Sequence, residues 1–378
     1  MHIEVIIPTI GGREHYLAWC LKSCLEQDGS TSILVSSNGG SKTVREVITS
    51  LDTPRIRLVE TEKVIPMAFH WEFAVSQARG DVISIIGDDD ALLPHSLMVI
   101  REVFKAHPEV GCVTQRPAQY YWPDFPIESH RNKYVMPRCK GGSKVYDTKP
   151  ILKRVMEFKE WYGMLPLLYH GFVRRETLES IRLNHGGLFK RIAPDIYSDL
   201  LLAVSVDKFI VVDEVLSIGG QGAKSNGANL ALNTIQGRQF FEDLPAELQP
   251  RLCAKSIMLQ LYEYITIFQE GVLSHVNLSP YWGKFALQTI AEAVRMPDFR
   301  HEILDDLAVI AKNAFPAPSR LFVLALIGMC RINSVSGLLG WVLKMRLGLR
   351  VDTWHDAKSS LGVTNIFDLS CKLGVDKR

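Results

Sequence analysis

Three consecutive carboxylates, Asp88, Asp89 and Asp90, follow the apolar run Val82-Ile83-Ser84-Ile85-Ile86, with Gly87 between the run and the acids. Like charges this close raise one another's pKa and oppose folding unless something neutralises them. A hard divalent cation with oxygen ligands is the usual partner. The competing reading is a solvated acidic turn, or an Asp capping the helix that Pro94 opens. The apolar run favours the cation, because carboxylates at the carboxyl end of a buried strand stand where open α/β sheets bind their ligands.

Other candidate motifs carry less. Asn38-Gly39-Gly40-Ser41-Lys42-Thr43 has the look of a phosphate loop, but Ser41 interrupts the Gly-Lys pair and the upstream Gly is missing. Gly220-Gln221-Gly222 lacks the third glycine of a dinucleotide fingerprint. Cys20 and Cys24 lie one helical turn apart on an apolar face, which predicts core thiols rather than metal ligands.

The elements that must position the acids alternate. A strand is expected at 3–7, closed by Pro8, then a helix over 14–27 with Leu17, Cys20, Leu21, Cys24 and Leu25 at helical spacing. Strands at 33–35, 56–59 and 82–86 alternate with helices near 43–51 and 68–78. This order predicts parallel pairing through right-handed crossovers. Residues 115–150, rich in Pro, Tyr, Trp, Gly and Lys, predict irregular or hairpin structure over a site; 209–212 reads as one more strand and 219–222 as a mobile loop. From about residue 244 the periodicity is helical, at 252–269, 281–294, 301–313 and from 320 onward. We therefore expect two domains, an α/β unit over 1–240 and a helical unit over 241–378. Within the second, Leu338, Leu339, Trp341, Val342 and Leu343 with Lys344, Arg346 and Arg350 make a segment that either packs on its own domain or lies in a membrane interface.

Composition sets outer limits. The chain has 378 residues, 47% of them hydrophobic and 22% charged, as in an ordinary globular protein able to bury a core. Lys plus Arg (43) barely exceed Asp plus Glu (41), so bulk electrostatic binding of nucleic acid is not expected. Seven scattered cysteines read as reduced cytosolic thiols. The amino end has no basic segment before an apolar one and predicts no signal peptide, and the apolar stretch 321–330 is about half a bilayer crossing.

Taken together, Val5-Ile6-Ile7-Pro8-Thr9, Arg13, Leu34-Val35-Ser36-Ser37-Asn38-Gly39, Ala78-Arg79-Gly80-Asp81-Val82-Ile83 and the Asp88-Asp89-Asp90 cluster with Pro94 closely resemble the family 2 glycosyltransferases of the GT-A fold, over about residues 3–225. The resemblance implies a Rossmann-like, mostly parallel α/β sheet flanked by helices, here with an all-helical extension. It places Pro8, Thr9 and Arg13 on the nucleotide base, with Ser37, Asn38 and Arg79 also on the donor, Asp88 near the ribose, and Asp89 and Asp90 on Mg²⁺ or Mn²⁺. Ser37-Asn38 stands where the family usually has an Asp, so the base contact there comes from a neutral group; Gly87 stands where the acidic motif often begins with Asp. In Ala193-Pro194-Asp195-Ile196-Tyr197-Ser198-Asp199-Leu200-Leu201, Asp195 fits the catalytic carboxylate of inverting members, against the alternative that it only caps a helix. Asp199 is the reserve base, and His170 a candidate diphosphate contact.

The function expected is an inverting, metal-dependent glycosyltransferase moving a sugar from a nucleotide-diphosphate sugar, with UDP the leading nucleotide, to a hydroxyl of a glycan or lipid-linked acceptor. Its setting would be surface polysaccharide synthesis in the cytoplasm, with peripheral contact on the inner face of the plasma membrane through the C-terminal helices. The alternatives are a sugar-nucleotide nucleotidyltransferase, which would release pyrophosphate, and a nucleotide-sugar-binding protein without catalysis.

Overall fold

The computed structural model describes residues 1–225, 244–332 and 354–375. The β-branched amino-terminal run forms β1 (Ile3–Thr9), two residues longer than expected. Pro8 is tolerated because the strand on one side of β1 ends opposite Ile6, so the missing N–H has no ladder partner to serve there. Next come α1 (Glu14–Leu25), β2 (Thr31–Ser37), α2 (Lys42–Ser50), β3 (Ile56–Glu60), α3 (Met67–Ser76) and β4 (Val82–Ile85), and their strands pair in parallel in the order β3, β2, β1, β4. Ile3, Val5 and Ile7 join one apolar layer and Ile6 the other, so β1 is covered on both faces, as parallel strands require. On α1, Leu17, Cys20, Leu21 and Cys24 are fully buried, and both thiols are core residues.

After the acids the chain forms β5 (Ala91–Leu92), α4 (Ser96–Ala106), β6 (Cys112–Gln115), β7 (Ala118–Tyr121), β8 (Lys133–Val135), β9 (Ser143–Asp147), α5 (Thr148–Met156), β10 (Phe172–Arg174), α6 (Arg175–His185), α7 (Pro194–Ser205), β11 (Lys208–Val212) and β12 (Ser217–Gln221). Among the described residues the large sheet has the order β3-β2-β1-β4-β10-β6-β11-β9. It is mixed: β10 runs antiparallel to both its neighbours and β9 antiparallel to β11. The expectation of a mobile loop at 219–222 is corrected. Residues 219–221 lie in β12, between β5 and β7, and a side chain on Gly220 would meet the carbonyl oxygen of Asp89 at 1.8 Å.

The second half forms α8 (Ile257–Glu270), α9 (Trp282–Arg295), α10 (Arg300–Ala314) and α11 (Ala317–Cys330), then β13 (Trp354–Asp356), α12 (Ala357–Leu361) and α13 (Ile366–Val375). It is therefore helical but not all-helical: β13 pairs with β8 and extends a second sheet of order β13-β8-β7-β12-β5, and α13 returns to α1, where Phe367 stacks on Trp19. One apolar core runs from Ile6, Leu34 and Ile83 through α7 to Leu259, Phe285, Leu307 and Ile327. The change near residue 240 is thus a change of element type within a shared core. The segment 337–350 lies outside the described residues, and no described helix is long and apolar enough to cross a membrane.

Candidate active site

The acids stand on a turn at the carboxyl end of β4. The Asp90 N–H donates to the Gly87 carbonyl at 3.2 Å, while the Asp90 carboxylate reaches back to the Gly87 N–H at 2.5 Å. A side chain at Gly87 would lie 2.8 Å from Asp89 Oδ1 and 3.0 Å from both Asp90 Oδ2 and the Tyr169 hydroxyl. Glycine is required here by the carboxylates that fold over it, which explains its presence where the resembling family often has Asp.

Each acid has its own partners. Asp88 accepts from the Thr9 hydroxyl at 2.6 Å and pairs with Arg13 Nη2 at 2.6 Å. Asp89 shares the same Nη2 at 3.1 Å and accepts from the Ser225 hydroxyl. Asp90 accepts from the Gly220 N–H at 2.7 Å and the Tyr169 hydroxyl at 2.6 Å, and lies 3.2 Å from His170 Nε2. Burial pushes the Asp89 carboxyl up to about 7, against the pull of Arg13 and with the push of Asp90 and Asp88. Burial also opposes ionisation of Asp90, but His170, Tyr169 and the Gly220 N–H outweigh it and hold Asp90 below the usual carboxylate range. Burial and the Asp90 charge keep the Tyr169 phenol protonated, as a donor must be.

These contacts decide which acids have room for a cation. A carboxylate offers about four lone-pair positions. Asp90 serves four partners, Gly87, Tyr169 and His170 on Oδ2 and Gly220 on Oδ1, whereas Asp88 and Asp89 each serve two. Among the described residues no three acidic, His or Cys side chains are gathered into a ready coordination shell. Asp89, buried and only partly compensated, is the acid that fits a metal best.

Arg13, nine-tenths buried, is the cation already present. Its Nη1 donates to the Lys224 carbonyl, its guanidinium lies 5.7 Å from the Tyr16 ring centre, and its Nε is buried without a partner. The loop after β12 reaches the acids through Ser225, whose hydroxyl also accepts from the Gly222 N–H at 2.7 Å. Trp122 Nε1 donates to the Asp89 carbonyl at 3.1 Å, and Tyr16 holds both Asp124 and the Ala223 N–H.

The remaining expected donor residues divide. Pro8 and Thr9 end β1 beside the acids. The Asn38 amide is engaged inward, donating to the Ile65 carbonyl at 2.8 Å and accepting from the Ile65 N–H at 2.9 Å, and the Ser37 hydroxyl accepts from the Ser41 N–H at 3.0 Å. Both shape the loops at the strand ends. Arg79 is not gathered with the others: it is exposed and precedes β4, at the opposite end of the sheet from Asp88. A cavity of about 630 Å³ at that same distant end, lined by Arg101, Lys105, Arg174 and Arg175 with Asp81 and Glu102, is separate from the acids.

On the other side of the acids, residues 168–170 run along β4, with the His170 N–H donating to the Ile85 carbonyl at 2.9 Å. His170 has φ 59°, a left-handed conformation costly for a non-glycine, and its Nδ1 lies 2.8 Å from the Ser217 hydroxyl. Tyr169 stacks on Trp71, which meets Phe189 edge-on. Asp195 is the second residue of α7, whose cap position is Ala193, so it does not cap the helix as such; the residue is partly exposed, and its carboxylate lies near the N–H groups of its own residue and Ile196. Burial raises its carboxyl nonetheless, and its charge acts on Tyr169, the residue bonded to Asp90. Asp199 is fully turned inward, accepting from the Leu168 N–H at 3.2 Å, and burial with the Asp195 charge raises it strongly. Tyr169, Ser225, Trp122, Tyr16 and Asp124 were not singled out from sequence. Only Tyr169, adjacent to His170, carried any signal.

Carboxylates at the carboxyl end of a parallel strand, with a buried arginine among them, stand where open α/β sheets bind their ligands, and a further acid lies at the start of α7. Residues 4–171 match the sequence model of glycosyl transferase family 2, which supports a glycosyltransferase. A search of curated proteins finds no match. Among solved structures, the chain is similar to S. aureus TarS residues 1–349, at 12% identity over 93% of each chain with a TM-score of 0.47, and to the same protein in complex with UDP-GlcNAc, at 12% over 92% of each with 0.48. It is also similar to the mannosyltransferase PcManGT from Pyrobaculum calidifontis in complex with GDP-Man and Mn²⁺, at 14% identity over 92% of this chain and 88% of that one, with a TM-score of 0.45.

Proposed function

We propose that this protein is an inverting, metal-dependent glycosyltransferase that moves a sugar from a nucleotide-diphosphate sugar, UDP-linked in the leading case, to a hydroxyl of a glycan or lipid-linked acceptor. The observation that carries the proposal is the buried acidic turn at the end of β4, where Asp88 and Asp89 share Arg13 and Asp90 accepts from Tyr169, with Asp195 near enough for its charge to act on the same Tyr169. Thr9, Arg13 and Asp88 would bind the nucleoside, with Pro8, Ser37 and Asn38 shaping the floor of that pocket. Asp89 would hold Mg²⁺ or Mn²⁺, which neutralises the diphosphate when bound. Asp90, the most heavily engaged of the three, would mainly set the position of Tyr169 and His170 through Oδ2.

In the transfer, Asp195 takes the proton of the acceptor hydroxyl as that oxygen attacks the anomeric carbon. The new C–O bond forms on the face opposite the breaking bond to phosphate, the configuration inverts, and the nucleoside diphosphate leaves. A carboxyl raised by burial toward the operating pH suits a base of this kind. Asp199, with its carboxylate committed to the Leu168 N–H, is less suited. The biological setting we propose is cytoplasmic synthesis of a surface polysaccharide, with peripheral contact at the inner face of the plasma membrane, and the helical half from about residue 241 supports the transferase half through their shared core.

Thermal shift against a panel of sugar nucleotides, with and without Mn²⁺, tests the donor and the metal together. A donor-dependent rise that Mn²⁺ enlarges in the wild type and not in Asp89→Ala is expected. Full turnover in excess EDTA would exclude metal dependence, and release of pyrophosphate in place of a nucleoside diphosphate would indicate nucleotidyl transfer.

A further inference from the structure

We infer that the outward face of α11 is the surface that seats this protein on an anionic lipid membrane. The inference rests on the peripheral membrane contact proposed above and names the surface that makes it.

α11 is apolar on every side. Its inner face, Val323, Ile327 and Cys330, is buried in the core that it shares with α9 and α10. At about 100° per residue, Leu321, Phe322, Ala325 and Met329 come round together on the opposite side, and Ile332 follows the helix end. There Leu321 is 69% exposed, Phe322 62%, Met329 42% and Ile332 53%. No other described helix has more than one large hydrophobic residue exposed, so the apolar area gathered here is a patch and not scatter. The arginines at the two ends of α11 are turned aside onto α10. Arg320 donates to the Lys312 carbonyl at 3.4 Å and Arg331 pairs with Asp305, which leaves the outward face without a charge.

A helix that is apolar all round needs an apolar medium on both sides. The protein core is one, and the charge of this region selects lipid as the other. From residue 307 to residue 351 the sequence contains Lys312, Arg320, Arg331, Lys344, Arg346 and Arg350 and no Asp or Glu, in a chain whose charges otherwise nearly balance. Asp305 offsets Arg331, whereas among the described residues Lys312 and Arg320 are in no ion pair. Cations at the edge of an apolar face draw anionic headgroups while the face itself enters the acyl boundary. A second copy on the same face would instead oppose two basic, acid-free stretches. The 14 residues of α11 span about 21 Å, short of the roughly 30 Å of a bilayer core, so the helix would lie along the membrane surface.

The test is flotation of the intact chain with vesicles of phosphatidylcholine and phosphatidylglycerol in equal parts, beside vesicles of phosphatidylcholine alone. Wild type should float with the mixed vesicles, less as salt rises, and about tenfold more weakly with phosphatidylcholine alone. Leu321→Gln and Phe322→Gln exchange exposed apolar area for an amide. Each should weaken flotation about tenfold and leave the melting temperature and the thermal response to sugar nucleotides as in wild type. Met329→Gln takes the place of either variant if it does not fold. No flotation of wild type, or equal flotation of wild type and variants, overturns the proposal. A dimer that forms without vesicles and that the variants dissolve also overturns it, by making the face a contact between copies. Flotation that the variants lose, in a protein that does not respond to sugar nucleotides, upholds the surface and counts against the glycosyltransferase reading alone.

Discussion

Asp195 and Asp199 lie one turn apart on α7 and illustrate how position separates similar residues. Asp195 is partly exposed and acts electrostatically on Tyr169, whereas Asp199 is buried with its carboxylate on the Leu168 N–H. Asp195→Asn keeps the shape and removes the proton acceptor. Turnover should fall by roughly 10²-fold or more while donor affinity stays near wild type, measured by steady-state kinetics beside donor titration. Asp199→Asn should instead act mainly on stability, since its role is to satisfy a backbone donor. Normal turnover of Asp195→Asn would place the base elsewhere.

At the scale of elements, the helical half is fastened to the α/β half by rings. Phe285 on α9 is fully buried, 4.6 Å from Phe158, which follows α5, and within reach of Tyr262, Trp282 and Phe315. Phe285→Ala should cost about 3–5 kcal/mol of unfolding free energy, measured by denaturant titration, because the cavity is lined by rigid rings that cannot collapse into it. A loss under about 1 kcal/mol would mean that the two halves are only loosely packed. The same helix carries Glu292, whose carboxylate accepts from the Ser256 hydroxyl at 2.5 Å at the start of α8. Burial pushes its carboxyl up to about 7. The folded state therefore holds the proton more tightly than the unfolded chain; this contribution is complete below the ordinary Glu range and is lost as pH rises through about 7. Melting temperatures taken at about pH 5 and about pH 8 should fall more steeply for wild type than for Glu292→Gln. Parallel slopes would show that Glu292 is ionised in the fold.

For the whole molecule, a core that passes from β1 through α7 into the four helices predicts one cooperative unfolding transition rather than two. Calorimetry of the intact chain should give a single peak. Two resolved transitions would make the boundary near residue 240 a seam between independent units. The C-terminal return of β13 and α13 to the amino-terminal half acts in the same direction, since unfolding α13 uncovers Trp19 on α1.

Local periodicity and turn chemistry were enough to read the alternating first half, the parallel order implied by it, the helical second half and the acidic turn after a buried strand, because each is written within a few residues. Periodicity could not read the antiparallel insertion of β10, since three residues, Phe172–Arg174, carry no direction. Nor could it distinguish Gly219-Gly220 as a loop from the strand they form, because the reason for glycine there is the Asp89 carbonyl, 131 positions away in sequence by the numbering of Gly220. The sequence brought Arg79 into the same motif as the acids, and the sheet set it at the other end, because a strand separates its two termini. The charge balance of the site was likewise a tertiary matter. Arg13, Tyr169-His170 and Ser225 come from three separate segments, and only their meeting decides that Asp90 is the most heavily engaged of the acids while Asp89 keeps lone pairs for a cation.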